Sequence, residues 1–179
     1  MTAIISKNGQ LLQLISANEE TIQLNKPIGC LAVDDPPRSN MYYRGWWVDI
    51  PSPPSVFHIF DYILKIWVDP RSLEQVQDLH WQNIKNLRDA FEFGGFEFES
   101  NIYDSDQVSQ GRILGASNAG FDQIWTLADN TTVELKAIQL VLLYQALQQH
   151  IANAHERGRI ARLLIYEATT SDEVEAVIF

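Results

Sequence analysis

Lys65-Ile66-Trp67-Val68-Asp69-Pro70-Arg71-Ser72-Leu73-Glu74-Gln75-Val76 is the stretch at which the chain changes character. Before it, apolar residues alternate or run in short blocks broken by turn residues. After it, they recur about every 3.6 residues, the period of a helix that buries one face. The spacing predicts that Asp69 caps this helix and that Pro70 takes its first position, where a missing amide costs nothing. Leu73, Val76, His80, Ile84, Leu87 and Phe91 form its stripe, and Gly94-Gly95 ends it.

On the N-terminal side, Val56-Phe57-His58-Ile59-Phe60 and Lys65-Ile66-Trp67-Val68 read as two strands joined through Asp61 to Leu64. Two proline clusters, Asp34-Asp35-Pro36-Pro37 and Pro51-Ser52-Pro53-Pro54, interrupt ladder pairing because proline has no amide donor. Between them lies the aromatic run Met41-Tyr42-Tyr43-Arg44-Gly45-Trp46-Trp47. Thr21 to Leu24 and Cys30 to Val33 read as strands. Ala3-Ile4-Ile5 and Leu11 to Leu14 flank Lys7-Asn8-Gly9, a hairpin signal.

On the C-terminal side, Phe96-Glu97-Phe98-Glu99 and Asn101-Ile102-Tyr103 read as a short hairpin. A helix is expected near Asp106 to Ala119, with a capping-box-like start from Asp104 and Gln107. Ile124 to Leu127 and Thr132 to Leu135 make another hairpin around Ala128-Asp129-Asn130. Lys136 to about Ala168 reads as one long helix, and Thr170 with Glu173 caps a last short turn. Along the long helix, Leu140, Leu143, Leu147, Ile151, Ala154, Gly158, Ala161 and Ile165 form a heptad-like seam. It faces either the chain's own shorter helices or the same helix in other copies, and periodicity does not separate the two. These signals give an α+β protein: an N-terminal aromatic, proline-interrupted β region over residues 1–69, then a mainly helical domain with short β-hairpins over residues 70–179.

The 179 residues include five Trp, six Tyr and eight Phe, a composition that builds a packed core. A formal charge of -10 opposes condensation onto phosphate backbones, so nucleic acid is not an expected partner. No run approaches the ~18 apolar residues of a transmembrane helix, and Met1 to Gly9 lacks the pattern of a signal peptide. The expectation is a chain made in the cytoplasm and free of membrane. Cys30 is the only cysteine, which excludes an internal disulfide and any multi-cysteine metal cluster while leaving a crosslink between two chains open.

The acidic group Asp104-Ser105-Asp106 with Glu97 and Glu99 suits a hard cation, but it lacks the glycine-bearing loop of an EF-hand. Negative charge at the start of a helix explains it more simply. His58, His80, His150 and His155 are scattered without metal-ligand spacing, and His80 falls on an apolar stripe. Neither a nucleophile elbow nor a phosphate-binding Gly-Lys-Ser/Thr loop occurs. Gly111 and Gly115 form a small-xxx-small step, read as allowing close backbone packing. No catalytic residue, metal or cofactor is expected. Tyr42, Tyr43, Trp46 and Trp47 are candidate partner-binding residues, because aromatic side chains dominate interface hot spots. They serve equally well as the core of a small β lobe, with a glycan site as a third reading.

From Pro53 onward the motifs form a recognisable order. Pro53-Pro54-Ser55 with Phe57-His58, Trp67-Val68-Asp69-Pro70, Arg88-Asp89-Ala90, Gly95-Phe96, Tyr103-Asp104-Ser105-Asp106, Gln110-Gly111-Arg112-Ile113, Trp125-Thr126-Leu127-Ala128-Asp129-Asn130 and Ala168-Thr169-Thr170 are all present. Residues 53–179 thereby resemble a phage and prophage domain family of unknown function found in tail-fibre-associated, tail-fibre assembly-like proteins. Trp125 to Asn130 is the most specific piece.

The resemblance implies a non-enzymatic structural or assembly protein of a bacteriophage tail that binds tail fibre or baseplate. It would reside in the virion tail, and in the host cytoplasm during assembly. A transient assembly chaperone absent from the virion is the alternative, and a host-glycan-binding module is a third. Because tail fibres are usually threefold, the resemblance favours a homotrimer, with the seam from Leu140 to Ile165 as its expected contact.

Overall fold

Gly9 turns the first hairpin with φ at +81°, in a computed structural model that describes residues Met1–Phe179. A Cβ there would lie 1.9 Å from the Tyr43 carbonyl oxygen, so glycine is required both by the turn and by the close approach of a second strand. The hairpin joins β1 (Thr2–Ile5) to β2 (Leu11–Ile15). Thr21 to Leu24, expected as a strand, lies instead in a short helix, α1 (Glu19–Asn25). Asn18 accepts from the Thr21 amide as N-cap, and Glu19 and Glu20 complement the first turn. Strand β3 (Leu31–Asp34) pairs antiparallel with the other edge of β1, and Ala3, Ile4 and Ile5 are buried.

Two further hairpins complete this part of the chain. The aromatic run folds back on itself as β4 (Met41–Tyr43) and β5 (Trp47–Asp49), and β6 (Ile59–Asp61) pairs with β7 (Ile66–Val68). All of these elements belong to a first compact unit, Met1–Arg71.

The second unit is Ser72–Phe179. Its first helix, α2 (Leu73–Phe93), begins later than the sequence suggests. Ser72 is the N-cap, in a reciprocal capping box with Gln75, and Asp69 instead binds Arg71. Gly94 ends α2, and the hairpin of β8 (Phe96–Phe98) and β9 (Asn101–Tyr103) follows. Asp106 caps α3 (Gln107–Ala119), accepting from the amides of Val108 and Ser109. Then come the hairpin of β10 (Gln123–Thr126) and β11 (Thr132–Leu135), the long α4 (Ala137–Glu167), and α5 (Ser171–Glu175), capped by Thr170 with Glu173.

Helix accounts for 43% of residues and strand for 22%, with every strand pair antiparallel, which is an α+β organisation. No helix is long and apolar enough to cross a membrane.

Two core clusters flank α4. Leu140, Leu143 and Leu147 pack with Phe96, Tyr103, Ile113, Leu127 and Leu135, and Ile151 lies against this cluster. Ala161 and Ile165 pack with Val76, Ile84 and Val174. Ala154 and Gly158 are also buried, and a Cβ on Gly158 would lie 3.3 Å from the Arg88 side chain. The seam is therefore packed by α2, α3, α5 and the hairpins of the same unit, with Ile151 half-buried. The small residues serve this internal packing. Gly111 and Gly115 do the opposite of what their spacing suggests: nothing lies within 4 Å of a Cβ placed on either.

Candidate functional site

The four aromatic residues expected to bind a partner divide between core and surface. Tyr42 is buried, with its ring centroid 5.4 Å from that of Phe60 and 4.8 Å from the Lys65 ammonium. Tyr43 and Trp47 are half-buried and meet edge to face at 5.3 Å, while the Trp47 indole donates to the Asp34 carbonyl at 2.8 Å. Trp46 alone stands out, 60% exposed, with the Arg44 guanidinium 5.0 Å from its ring. Three of the four thus hold the first unit together, and a sugar would find one free indole rather than a platform of two.

A cluster of exposed aliphatic residues lies on the β6–β7 hairpin. Phe60 and Trp67 pair across the strands on one face, with ring centroids 5.5 Å apart. Ile59 and Ile66 occupy the other face and are exposed. The tip carries Ile63 at 72% and Leu64 at 62% exposure, where polar turn residues are the rule.

This tip is built rather than loose. Asp61 Oδ1 accepts from the amides of both Ile63 (2.6 Å) and Leu64 (2.9 Å), and Lys65 adopts a φ of +63° as its amide returns to the Asp61 carbonyl at 2.7 Å. Lys65 Nζ in turn donates to the Asn8 carbonyl. Below the hairpin, the Arg71 guanidinium lies 3.9 Å from the Phe57 ring centroid and hydrogen-bonds the Asp69 carboxylate, holding the Asp69 pKa down at about 2. The Ser55 hydroxyl and His58 Nδ1 are 2.9 Å apart.

The pattern that marks this site was present in the sequence as Asp61-Tyr62-Ile63-Leu64-Lys65. It pairs an aspartate able to cap its own turn with two aliphatic residues in an exposed turn.

Elsewhere, the scattered histidines each have a structural partner. His80 Nε2 lies 2.8 Å from the Val177 carbonyl oxygen, His150 stacks on Phe91 at 4.6 Å, and His155 Nε2 lies 3.3 Å from Glu92 Oε2. The acidic group at Asp104 to Asp106 resolves into a helix cap, and Ser109 binding pulls the Asp106 pKa below the ordinary carboxylate value. No three His, Cys, Asp or Glu side chains converge on one point.

A family model described as a domain of unknown function, DUF4376, matches residues 75–178. The chain belongs to this family. The match covers nearly all of the second unit, whereas the first unit, with the Ile63-Leu64 tip, lies outside it. Of the motifs that carry the resemblance, Pro53 to Pro70 therefore precede the DUF4376 span, and those from Arg88 onward fall within it. No curated protein and no solved structure matches the chain.

Proposed function

We propose that this DUF4376 protein is a non-enzymatic structural or assembly protein of a bacteriophage tail, and that it binds the tail fibre or baseplate through its N-terminal unit. The observation that carries the binding reading is the rigid, exposed Ile63-Leu64 tip continued by Ile59 and Ile66. A contiguous apolar surface on a fixed backbone costs little order to bury, and such surfaces mark protein contacts.

The phage setting rests on the motif resemblance, with Trp125-Thr126-Leu127-Ala128-Asp129-Asn130 as its most specific part. A threefold fibre favours a trimer of this chain. Its contacts fall to the exposed residues of the first unit, since Leu140 to Ile165 are used within the second.

Quantitative mass spectrometry of purified phage particles tests the reading. A stoichiometry comparable to the fibre protein is the expected result. Absence from particles, with fibre binding retained in the infected cell, assigns the chain to a transient assembly chaperone. Absence of both sinks the tail reading.

A further inference from the structure

The second unit carries a strand position that is half used. In an antiparallel pair, alternate residues bond across the ladder and those between turn their backbone groups to the other edge. Leu127 N–H donates to the Thr131 carbonyl at 2.8 Å, and the β10–β11 register runs from Gln123↔Leu135 to Thr126↔Thr132. Gln123, Trp125 and Leu127 therefore bond to β11, while Ile124 and Thr126 direct N–H and C=O to the free edge.

The next outward amide in the series, that of Ala128, donates to the Ile102 carbonyl of β9 at 3.0 Å. Strand β9 thus begins the neighbouring position, and the chain then leaves it for the cap of α3. No strand continues beside Ile124 and Thr126, because β10 pairs with β11 alone.

That vacant seat opens into a cleft of about 690 Å³ between β10 and α3, lined among others by Asp104, Ser109, Arg112, Gly115, Trp125 and Asn130. Its size lies within the range of ligand sites, roughly 300–1,000 Å³. The absence of a side chain at Gly115 keeps the α3 wall open, since a Cβ there meets nothing within 4 Å.

Arg112 makes no hydrogen bond, close ion pair or ring contact, and its charge acts on the nearby Asp106 carboxylate, whose pKa it helps lower. Lys85 and Arg162 lie over Trp81, Arg88 pairs with Asp89, Lys136 with Asp122 and Glu134, Arg157 with Phe179, and Arg159 with Glu156.

We propose that this cleft receives an extended segment of another protein, added as a β-strand along the free edge of β10, with an acidic side chain of that segment paired to Arg112. Main-chain groups aligned at strand spacing select an extended peptide over a compact small molecule, and Ile102 already makes the first bond of the same kind. The Arg112 guanidinium makes no hydrogen bond, although its charge helps lower the pKa of the nearby Asp106, and an acidic side chain of the guest would supply the hydrogen-bonded partner it lacks. The inference does not rest on the phage-tail reading.

The test uses the full chain and a yeast-displayed library of random ten-residue peptides, with the best binders synthesised and titrated by NMR. Micromolar binding is expected, with amide exchange slowed at Ile124 and Thr126 and with Asp or Glu enriched at one peptide position. Arg112→Gln should weaken such a peptide roughly fivefold, the scale of an exposed ion pair.

Gly115→Leu should weaken it at least about tenfold by filling the cleft, without lowering the melting temperature, because leucine is the better helix former. Thr126→Pro is the second variant. It deletes an outward amide that makes no bond to β11 and should likewise abolish binding. Failure to select any peptide tighter than about 1 mM overturns the proposal, as does binding that leaves Ile124 and Thr126 unperturbed or that survives both substitutions. Binders with no acidic preference overturn the assigned charge of the guest.

Discussion

The hydroxyl of Tyr103 is fully buried and meets no hydrogen-bond partner, although the ring packs with Phe96 and Phe98 in the core of the second unit. An unmet buried hydroxyl costs stability that its neighbours' packing must offset. Tyr103→Phe should therefore leave stability unchanged or raise it by up to about 1 kcal/mol in urea unfolding, and a loss of that size would reveal a hidden partner. Burial, reinforced by Glu99, also raises the Tyr103 pKa above the ordinary 10.0. A raised acid favours the folded state below its unfolded pKa, so wild-type stability should fall as pH climbs beyond about 10, and Tyr103→Phe should remove this part of the alkaline loss.

Asp69 has the opposite sign. Hydrogen bonds from Arg71 depress its pKa to about 2, so its contribution is present above the ordinary 3.8 and lost as pH falls towards 2. Carbon-13 NMR titration should place its midpoint near 2, and a midpoint close to 3.8 would mean that the Arg71 contact does not form in solution. The sequence marked Asp69 as a helix cap. It could not show that a guanidinium two residues away would compete for the same carboxylate.

At the scale of elements, periodicity located the helices and strands well wherever a one-sided apolar pattern met a clear turn. The β8–β9 hairpin was legible from its alternation, even though its turn uses Glu99 and Ser100 at positive φ instead of glycine. Helix α1 was missed because Ile22 is its single buried residue, too little to set a period. The signal lay in Asn18-Glu19-Glu20, a cap followed by an acidic first turn.

The start of α2 was misplaced because two capping signals stand side by side, and the Ser72–Gln75 box prevails. Ser72→Ala should cost about 1 kcal/mol, read by thermal or urea unfolding, and a neutral result would return the cap to Asp69. The seam on α4 was legible as apolar, but its occupant was not, since 3.6-residue periodicity is the same for an internal core and for a coiled coil. Leu147→Ala should cost about 2–5 kcal/mol while Leu142→Ala, on the exposed side, costs less than about 0.5 kcal/mol; equal effects would contradict internal filling.

Across the whole molecule, charge and surface are divided between the two units. Residues 72–179 carry a formal net charge of -9, from sixteen carboxylates and seven cations, and residues 1–71 carry -1, from seven and six. The nearly neutral unit is also the one that presents the Ile63-Leu64 tip, so the surface offered for contact is the one least opposed by self-repulsion. Composition alone yielded the total of -10, and only the position of the unit boundary reveals its asymmetry. The aromatic run Met41 to Trp47 drew attention in the sequence because aromatic residues serve cores and interfaces alike. Three-dimensional pairing assigned most of it to the core and moved the candidate contact to aliphatic residues of a neighbouring hairpin.

The proposed tail-fibre contact is tested most directly by co-purification of the full chain with a phage tail-fibre protein, comparing wild type with the Ile63→Glu/Leu64→Glu double variant. Wild type should retain the fibre, and the variant should lose at least about tenfold of the binding while keeping its circular-dichroism spectrum and melting temperature. No retention by wild type, or equal retention by the variant, would contradict it.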